Sequence, residues 1–228
     1  MEQKKSGFER CLDSANRRTG KVWAALEETQ LHLKRGDMIS AYEAAFEAAG
    51  HAEKLTCLCR ELPAYTGYPK ARAAIEEATS KNFPVEIGFT AEGWFCLRIP
   101  LLLPKKNKGS PAYLCDPLYP AMRRFWKGKQ PMRYPYNVTI FRHVYNRARP
   151  ERQYRDHDNT ELNRVLDIVA LYVMVDDSPV LCRHYYCSAP GGSERTEVYV
   201  VPQNEFIRWL EQEKTIPDGG VLLYENRP

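Results

Sequence analysis

Apolar residues recur at three- and four-residue spacings from Phe8 through Cys11, Leu12, Ala15, Val22, Ala25, Leu26 and Thr29 to Leu33, the period of an amphipathic helix. Arg35-Gly36-Asp37 interrupts the pattern, and glycine between charged residues is a helix stop. The same period resumes at Met38, Ala41, Tyr42, Ala45, Phe46, Ala49, Ala52, Leu55 and Leu58, with enough alanine for close helix packing. The two runs predict an antiparallel helical hairpin. Residues 63–69 then read as a turn-rich link, and residues 70–80 as a short third helix.

Beyond Pro84 the period shortens toward two. Strands are expected at 85–89 and 94–103, flanking the hairpin signal Thr90-Ala91-Glu92-Gly93. Residues 104–112 read as a loop and 120–126 as a short helix exposing Arg123 and Arg124. A strand at 136–145, a basic loop at 146–155, a helix from Thr160 to about Tyr172 and an extended segment at 180–187 follow. Gly191-Gly192-Ser193 reads as a hairpin loop before a strand at 194–201 and a terminal helix at 203–212. The fold class is therefore α+β, with a helical accessory region over 1–80 and an α+β domain over 84–228.

Composition narrows the class. With 228 residues, 43% hydrophobic, 27% charged and a mean hydropathy of −0.55, the chain is globular rather than collagenous, mucin-like or disordered. No apolar run is long enough to cross a bilayer, and residues 1–5 are polar, so a cytoplasmic protein without a membrane partner is expected. Seven scattered cysteines, an odd number, fit reduced thiols.

Charge changes the picture more. Residues 96–155 hold fourteen Lys and Arg against two acids, whereas residues 156–228 hold six against thirteen. The basic block is interleaved with Phe125, Trp126, Tyr134, Tyr136, Phe141 and Tyr145, a combination that suits a polyanion such as nucleic acid. Of the tryptophans, Trp126 alone sits in this block and is the candidate for stacking on a base.

The acids that follow carry the candidate chemistry. Asp156 and Asp158 alternate in an extended segment and so share a face, and a helix of about four turns returns the chain to Asp176 and Asp177. Carboxylates gathered in one place repel unless a divalent cation lies among them, and Mg²⁺ takes oxygen donors of this kind. The competing reading makes Asp158 or Asn159 a helix cap and Asp176-Asp177 a turn. A zinc site built from Cys182, His184, Cys187 and His157 is disfavoured, since strand alternation sends Cys187 to the face opposite Cys182 and His184. Cys57 and Cys59, two apart in a helix, read as core.

Residues from about Trp94 to Pro202 resemble the RusA-type Holliday junction resolvases, small dimeric Mg²⁺-dependent DNA endonucleases of phages and mobile elements. The matching pieces run in order: the strand ending at Pro104, the basic loop 105–109, the short helix 120–126, the strand 137–145 and the basic loop 147–155. They continue as Asp156-His157-Asp158-Asn159, the helix through Leu171, Asp176-Asp177 and two further strands. The fold implied is a RusA-like mixed sheet packed with helices, preceded here by an N-terminal helical hairpin that the family lacks.

The resemblance implies a Mg²⁺- or Mn²⁺-dependent endonuclease of DNA recombination and repair that hydrolyses phosphodiester bonds at branched DNA. It assigns catalysis and metal binding to Asp156, Asp158 and Asp177, with Asp176 in support. Lys105, Lys106, Lys108, Arg123, Arg124, Lys127, Lys129, Arg147, Arg149, Arg152, Arg155 and Arg164 are the residues expected to hold phosphates. The family's helix lysine is missing: Leu162 stands at its position, Asn163 is beside it, and Arg164 is the nearest base. The alternative is therefore a catalytically inactive relative that binds nucleic acid as an accessory protein. A homodimer is expected, with the N-terminal helices serving dimerisation or docking of a protein partner.

Overall fold

The structure is a computed structural model that describes residues 5–104, 110–150, 154–157 and 160–228. The chain forms two compact units, residues 1–79 with 104–116, and residues 80–103 with 117–228.

The first unit is built on α1 (Gly7–Lys34) and α2 (Met38–Glu61). Ser6 and Glu9 form a reciprocal capping box at the start of α1, and Asp37 caps α2 by accepting from the Ser40 backbone N–H at 3.1 Å. Between them Gly36 takes a φ of +75°, which a residue with a β-carbon adopts at a cost, so the chain reverses there. Cys11, Ala15 and Ala25 of α1 are buried, as are Ala41, Ala44 and Ala48 of α2; small side chains let the two backbones approach. Other apolar residues remain outside. Leu12, Trp23, Leu26 and Leu33 follow one another at helical spacings along α1, and Trp23 is 66% exposed. The 3-10 segment Leu62–Thr66 and the start of α3 (Ala71–Asn82) follow. Within this unit Glu53 accepts from the Ser110 backbone N–H at 2.7 Å, just before α4 (Pro111–Phe125) begins.

The second unit holds a five-stranded mixed sheet: β1 (Glu86–Phe89), β2 (Phe95–Ile99), β3 (Asn137–Asn146), β4 (Cys182–Gly191) and β5 (Arg195–Pro202), in the order β1-β2-β5-β3-β4. All pairings are antiparallel except β3 with β4, and α5 (Asn163–Val173) lies between these two in sequence. One face carries Cys96, Val138, Ile140, Cys187, Tyr199 and Val201, packed with Trp209 of α6 (Phe206–Glu213) and with Ile216, Val221 and Leu223 of the C-terminal segment. On the other face Phe95 stacks on Trp126 just after α4, and Trp126 stacks on Tyr172 of α5 at 6.4 Å.

The α+β class and the leading helices stand as expected, and several local readings are corrected. Gly191-Gly192-Ser193 is no hairpin loop, because β3 is inserted between β4 and β5 and pairs with both. The helix expected at 120–126 starts nine residues earlier, with Pro111 at its first turn and Pro117 and Pro120 inside it; those prolines read as boundaries in the sequence. The strand expected to run to 103 ends at Ile99, ahead of Pro100. Among the described residues no helix is long and apolar enough to cross a membrane, and all seven cysteines are free thiols, with Cys59 exposed rather than core.

Candidate functional site

The face of the sheet that meets α5 is flanked by the segments that carry Asp156 and Asp176-Asp177. In the parallel register Thr139 is opposite His184, Phe141 opposite Tyr186 and His143 opposite Ser188, so these six side chains share one face by strand alternation. After β3 the chain turns back over this face. Tyr154 stacks on Tyr145 with centroids 4.0 Å apart, and the Tyr145 hydroxyl accepts from the Arg155 backbone N–H at 2.9 Å. His157 then stacks on His143 at 5.7 Å, lies 5.9 Å from the Tyr186 ring and hydrogen-bonds Ser188 Oγ through Nε2 at 3.0 Å.

Asp156, exposed, thus enters from the Ser188 end of β4. Asp176 and Asp177, also exposed, follow α5 at the other end. Asp177 is within electrostatic reach of His184 and Cys182: burial lowers the His184 pKa and Asp177 opposes that shift. His184 and Ser188 are about 13 Å apart along the strand at ~3.3 Å per residue. Asp156 and Asp177 therefore bracket one strand face from opposite ends. Among the described residues no three His, Cys, Asp or Glu side chains form a group able to hold a metal ion, and this covers Asp156, Asp176 and Asp177 as well as the weighed zinc set. Asp158 and Asn159 lie outside the described residues.

Capping does not explain the acids. Helix α5 starts at Asn163 rather than Thr160, and its capping position is Leu162, with no side-chain cap. Leu162, where the resemblance to the resolvases expects a lysine, is buried, whereas Arg164 is exposed on α5.

The basic residues divide into three groups. Arg147 makes a bidentate pair with Asp218 at 3.0 and 3.1 Å, and Arg149 Nε donates to Glu194 at 2.5 Å. Arg155 donates to the Leu103 carbonyl, Arg124 to Ser80 Oγ, and Lys129 to the Glu225 carbonyl at 2.9 Å while lying 3.9 Å over the Phe125 ring. Arg123 and Lys127 are exposed near the end of α4. Lys105, Lys106, Lys108 and Arg152 lie outside the described residues. Trp126 is buried among Phe89, Phe95, Phe125 and Tyr172, so it is core and offers no stacking surface.

Two clusters escaped sequence reasoning. His143 is 2% exposed with neither ring nitrogen hydrogen-bonded among the described residues, and burial pushes its pKa down to about 4, with His157 and Arg155 adding to the shift. On the opposite face Glu197, with no exposed surface, accepts from Arg142 at 2.9 Å, Arg195 at 2.7 Å and the Tyr199 hydroxyl at 2.9 Å, with Arg98 Nε 3.9 Å away. An Arg-x-Glu-x-Tyr alternation in β5 was the available signal, and it was legible only as an ordinary amphipathic strand.

Residues 3–227 match the model of one family, described as a family of unknown function (DUF6100). No curated protein matches the chain.

Proposed function

The chain belongs to the DUF6100 family, whose function is unknown, and from its own geometry we propose that it is a metal-dependent endonuclease of branched DNA, similar in plan to the RusA-type resolvases. The observation that supports the reading is the β3–α5–β4 crossover, in which Asp156 precedes α5 and Asp177 follows it, at opposite ends of one strand face. Carboxylate oxygens suit Mg²⁺ or Mn²⁺. In this reading Asp156, Asp158 and Asp177 hold the ion, with Asp176 beside them, and binding it draws the segment of Asp156 along the strand toward Asp177. Such an ion supplies a nucleophile at neutral pH and balances charge on the phosphate.

The protein's own groups do the rest. Exposed Arg123, Lys127 and Arg164 hold phosphates, and Arg147 joins them once its pair with Asp218 opens. His157, bonded to Ser188, is the imidazole beside Asp156 that would relay a proton, a task that Leu162 cannot perform. A second copy docked through the exposed apolar stripe of α1 provides two such sites for the two strands of a junction.

The test is incubation of the purified chain with synthetic four-way junctions and Mg²⁺ or Mn²⁺. Asp158→Asn and Asp177→Asn are expected to abolish cleavage while junction binding persists. Binding without cleavage in the native chain would favour the second reading, an inactive nucleic-acid-binding relative, for which buried Leu162 is the specific support. Absence of salt-dependent DNA binding rejects both.

A further inference from the structure

At the end of the sheet where β3 begins and β5 ends, residues 132–136, 202–204 and Arg227 line an open cavity of about 590 Å³, within the size range of small-molecule sites. Its chemistry is mixed in a particular way. Tyr136 offers an aromatic surface that is 55% exposed. Arg133 is exposed and has neither an ion pair nor a hydrogen bond among the described residues. Arg227 is held in place: its side chain lies against Gly93, where a β-carbon would meet its Nε at 2.7 Å, and its Nη1 is 3.3 Å from Met132 Sδ. The rim is fixed by the Gln203 backbone N–H, which donates to the Tyr136 carbonyl at 3.1 Å. The exposed Asn204 amide can meet a polar edge.

An aromatic face, two guanidiniums and an amide complement one kind of guest, a planar heteroaromatic ring that carries an anion. We propose that this cavity takes one unpaired nucleotide of a nucleic-acid strand, with its base against Tyr136 and its phosphate between Arg133 and Arg227. The proposal rests on the nucleic-acid part of the proposed function and names a subsite for it. Its location fits that use. The Tyr134 backbone exchanges hydrogen bonds with the end of α5, from Tyr134 N to the Val173 carbonyl at 2.9 Å and from Val175 N to the Tyr134 carbonyl at 3.2 Å. Asp176 and Asp177 follow directly. A nucleotide seated here would anchor the strand beside the acids, and it would be available only where pairing is broken, as at a branch point.

The test uses the full chain in EDTA with a single-stranded tetranucleotide that carries 2-aminopurine and a terminal dye. Anisotropy reads binding, and 2-aminopurine emission reads stacking. Quenching is expected to saturate together with anisotropy. Tyr136→Leu should remove the quenching and weaken binding about tenfold. Arg133→Ser combined with Arg227→Ser should weaken binding and lower the salt slope by about one to two. Binding without quenching, or quenching unchanged in Tyr136→Leu, overturns the subsite. Junction cleavage assayed on the same preparations separates the two readings: cleavage without quenching overturns the cavity assignment alone, and quenching without cleavage overturns the nuclease alone.

Discussion

The imidazole of His157 lies over that of His143, with ring centroids 5.7 Å apart and planes inclined by 28°. The lower ring is buried on β3 with neither nitrogen hydrogen-bonded among the described residues, and the upper ring belongs to the loop that carries Asp156. Charging the lower ring would place a desolvated cation against His157 and near Arg155.

The folded pKa of His143, about 4, lies below its unfolded value of 6.5. The unfolded chain therefore binds more protons between those values, and the stability conferred by a neutral His143 is lost as pH falls from 6.5 toward 4. The contribution is about 3 kcal/mol at neutral pH. His143→Phe keeps a ring in the stack and removes the titration. Urea midpoints measured at several pH values should fall less steeply across this window in the variant than in the native chain. Parallel curves would show that His143 is accessible to protons in the folded state.

Glu197 faces a different demand. Three buried guanidiniums surround one carboxylate that has no exposed surface, so its removal takes the carboxylate from Arg142 and Arg195 inside the sheet, while Arg98 keeps its pair with Glu86. Glu197→Gln preserves shape and part of the hydrogen bonding, yet should cost about 3–5 kcal/mol. Urea denaturation followed by circular dichroism measures it. A loss under 1 kcal/mol would mean that water or an anion already neutralises the arginines.

Much of this architecture could be read in advance because it depends on local period. The helical hairpin, the switch to strands at Pro84 and the order of elements through β5 follow from spacings that chain neighbours impose. The insertion of β3 between β4 and β5 was illegible, since strand order is a long-range choice and Gly-Gly-Ser suits a hairpin and a crossover equally. The acids at 156 and 177 stand out in sequence, and the structure sets them at opposite ends of one strand face, a separation that no local spacing reveals. The pairing of Arg147 with Asp218 joins residues 71 positions apart and has no local signature. Trp126 misled for a related reason: a basic neighbourhood in sequence does not fix which side of a helix end a ring takes.

That burial gives a prediction for Trp126. Its ring fills the space between Phe95 and Tyr172, so Trp126→Ala should destabilise by about 3–5 kcal/mol, and Trp126→Phe by less. At a temperature where Trp126→Phe remains folded, its DNA affinity should equal that of the native chain. A selective loss of affinity would return Trp126 to the binding surface.

The apolar stripe on α1 bears on assembly. A two-helix hairpin that leaves Trp23, Leu26 and Leu33 outside retains a surface that water disfavours, and a second copy of the same stripe can cover it. Trp23→Glu with Leu26→Glu should convert a dimer to monomers in sedimentation equilibrium without changing the far-ultraviolet spectrum. If the native chain already sediments as a monomer, the stripe serves another partner.

Asp218 occupies the fork of Arg147 as a phosphate would, with two parallel N–H···O bonds at 3.0 and 3.1 Å. The arginine in turn holds the Asp218 carboxyl below its ordinary pKa, so the pair persists through the neutral range. Any phosphate that reaches Arg147 must first displace that carboxylate. Asp218→Asn removes the competitor and leaves a weaker hydrogen-bonding group, so junction affinity should rise about three- to tenfold, with the salt slope steeper by about 0.9. Arg147→Ser alone should change affinity little, because in the native chain its charge is already neutralised. Titration of a labelled junction at several salt concentrations checks both variants. Equal affinity and equal slope in Asp218→Asn would remove Arg147 from the phosphate-binding set and leave the pair as a clasp that holds the C-terminal segment against the loop after β3.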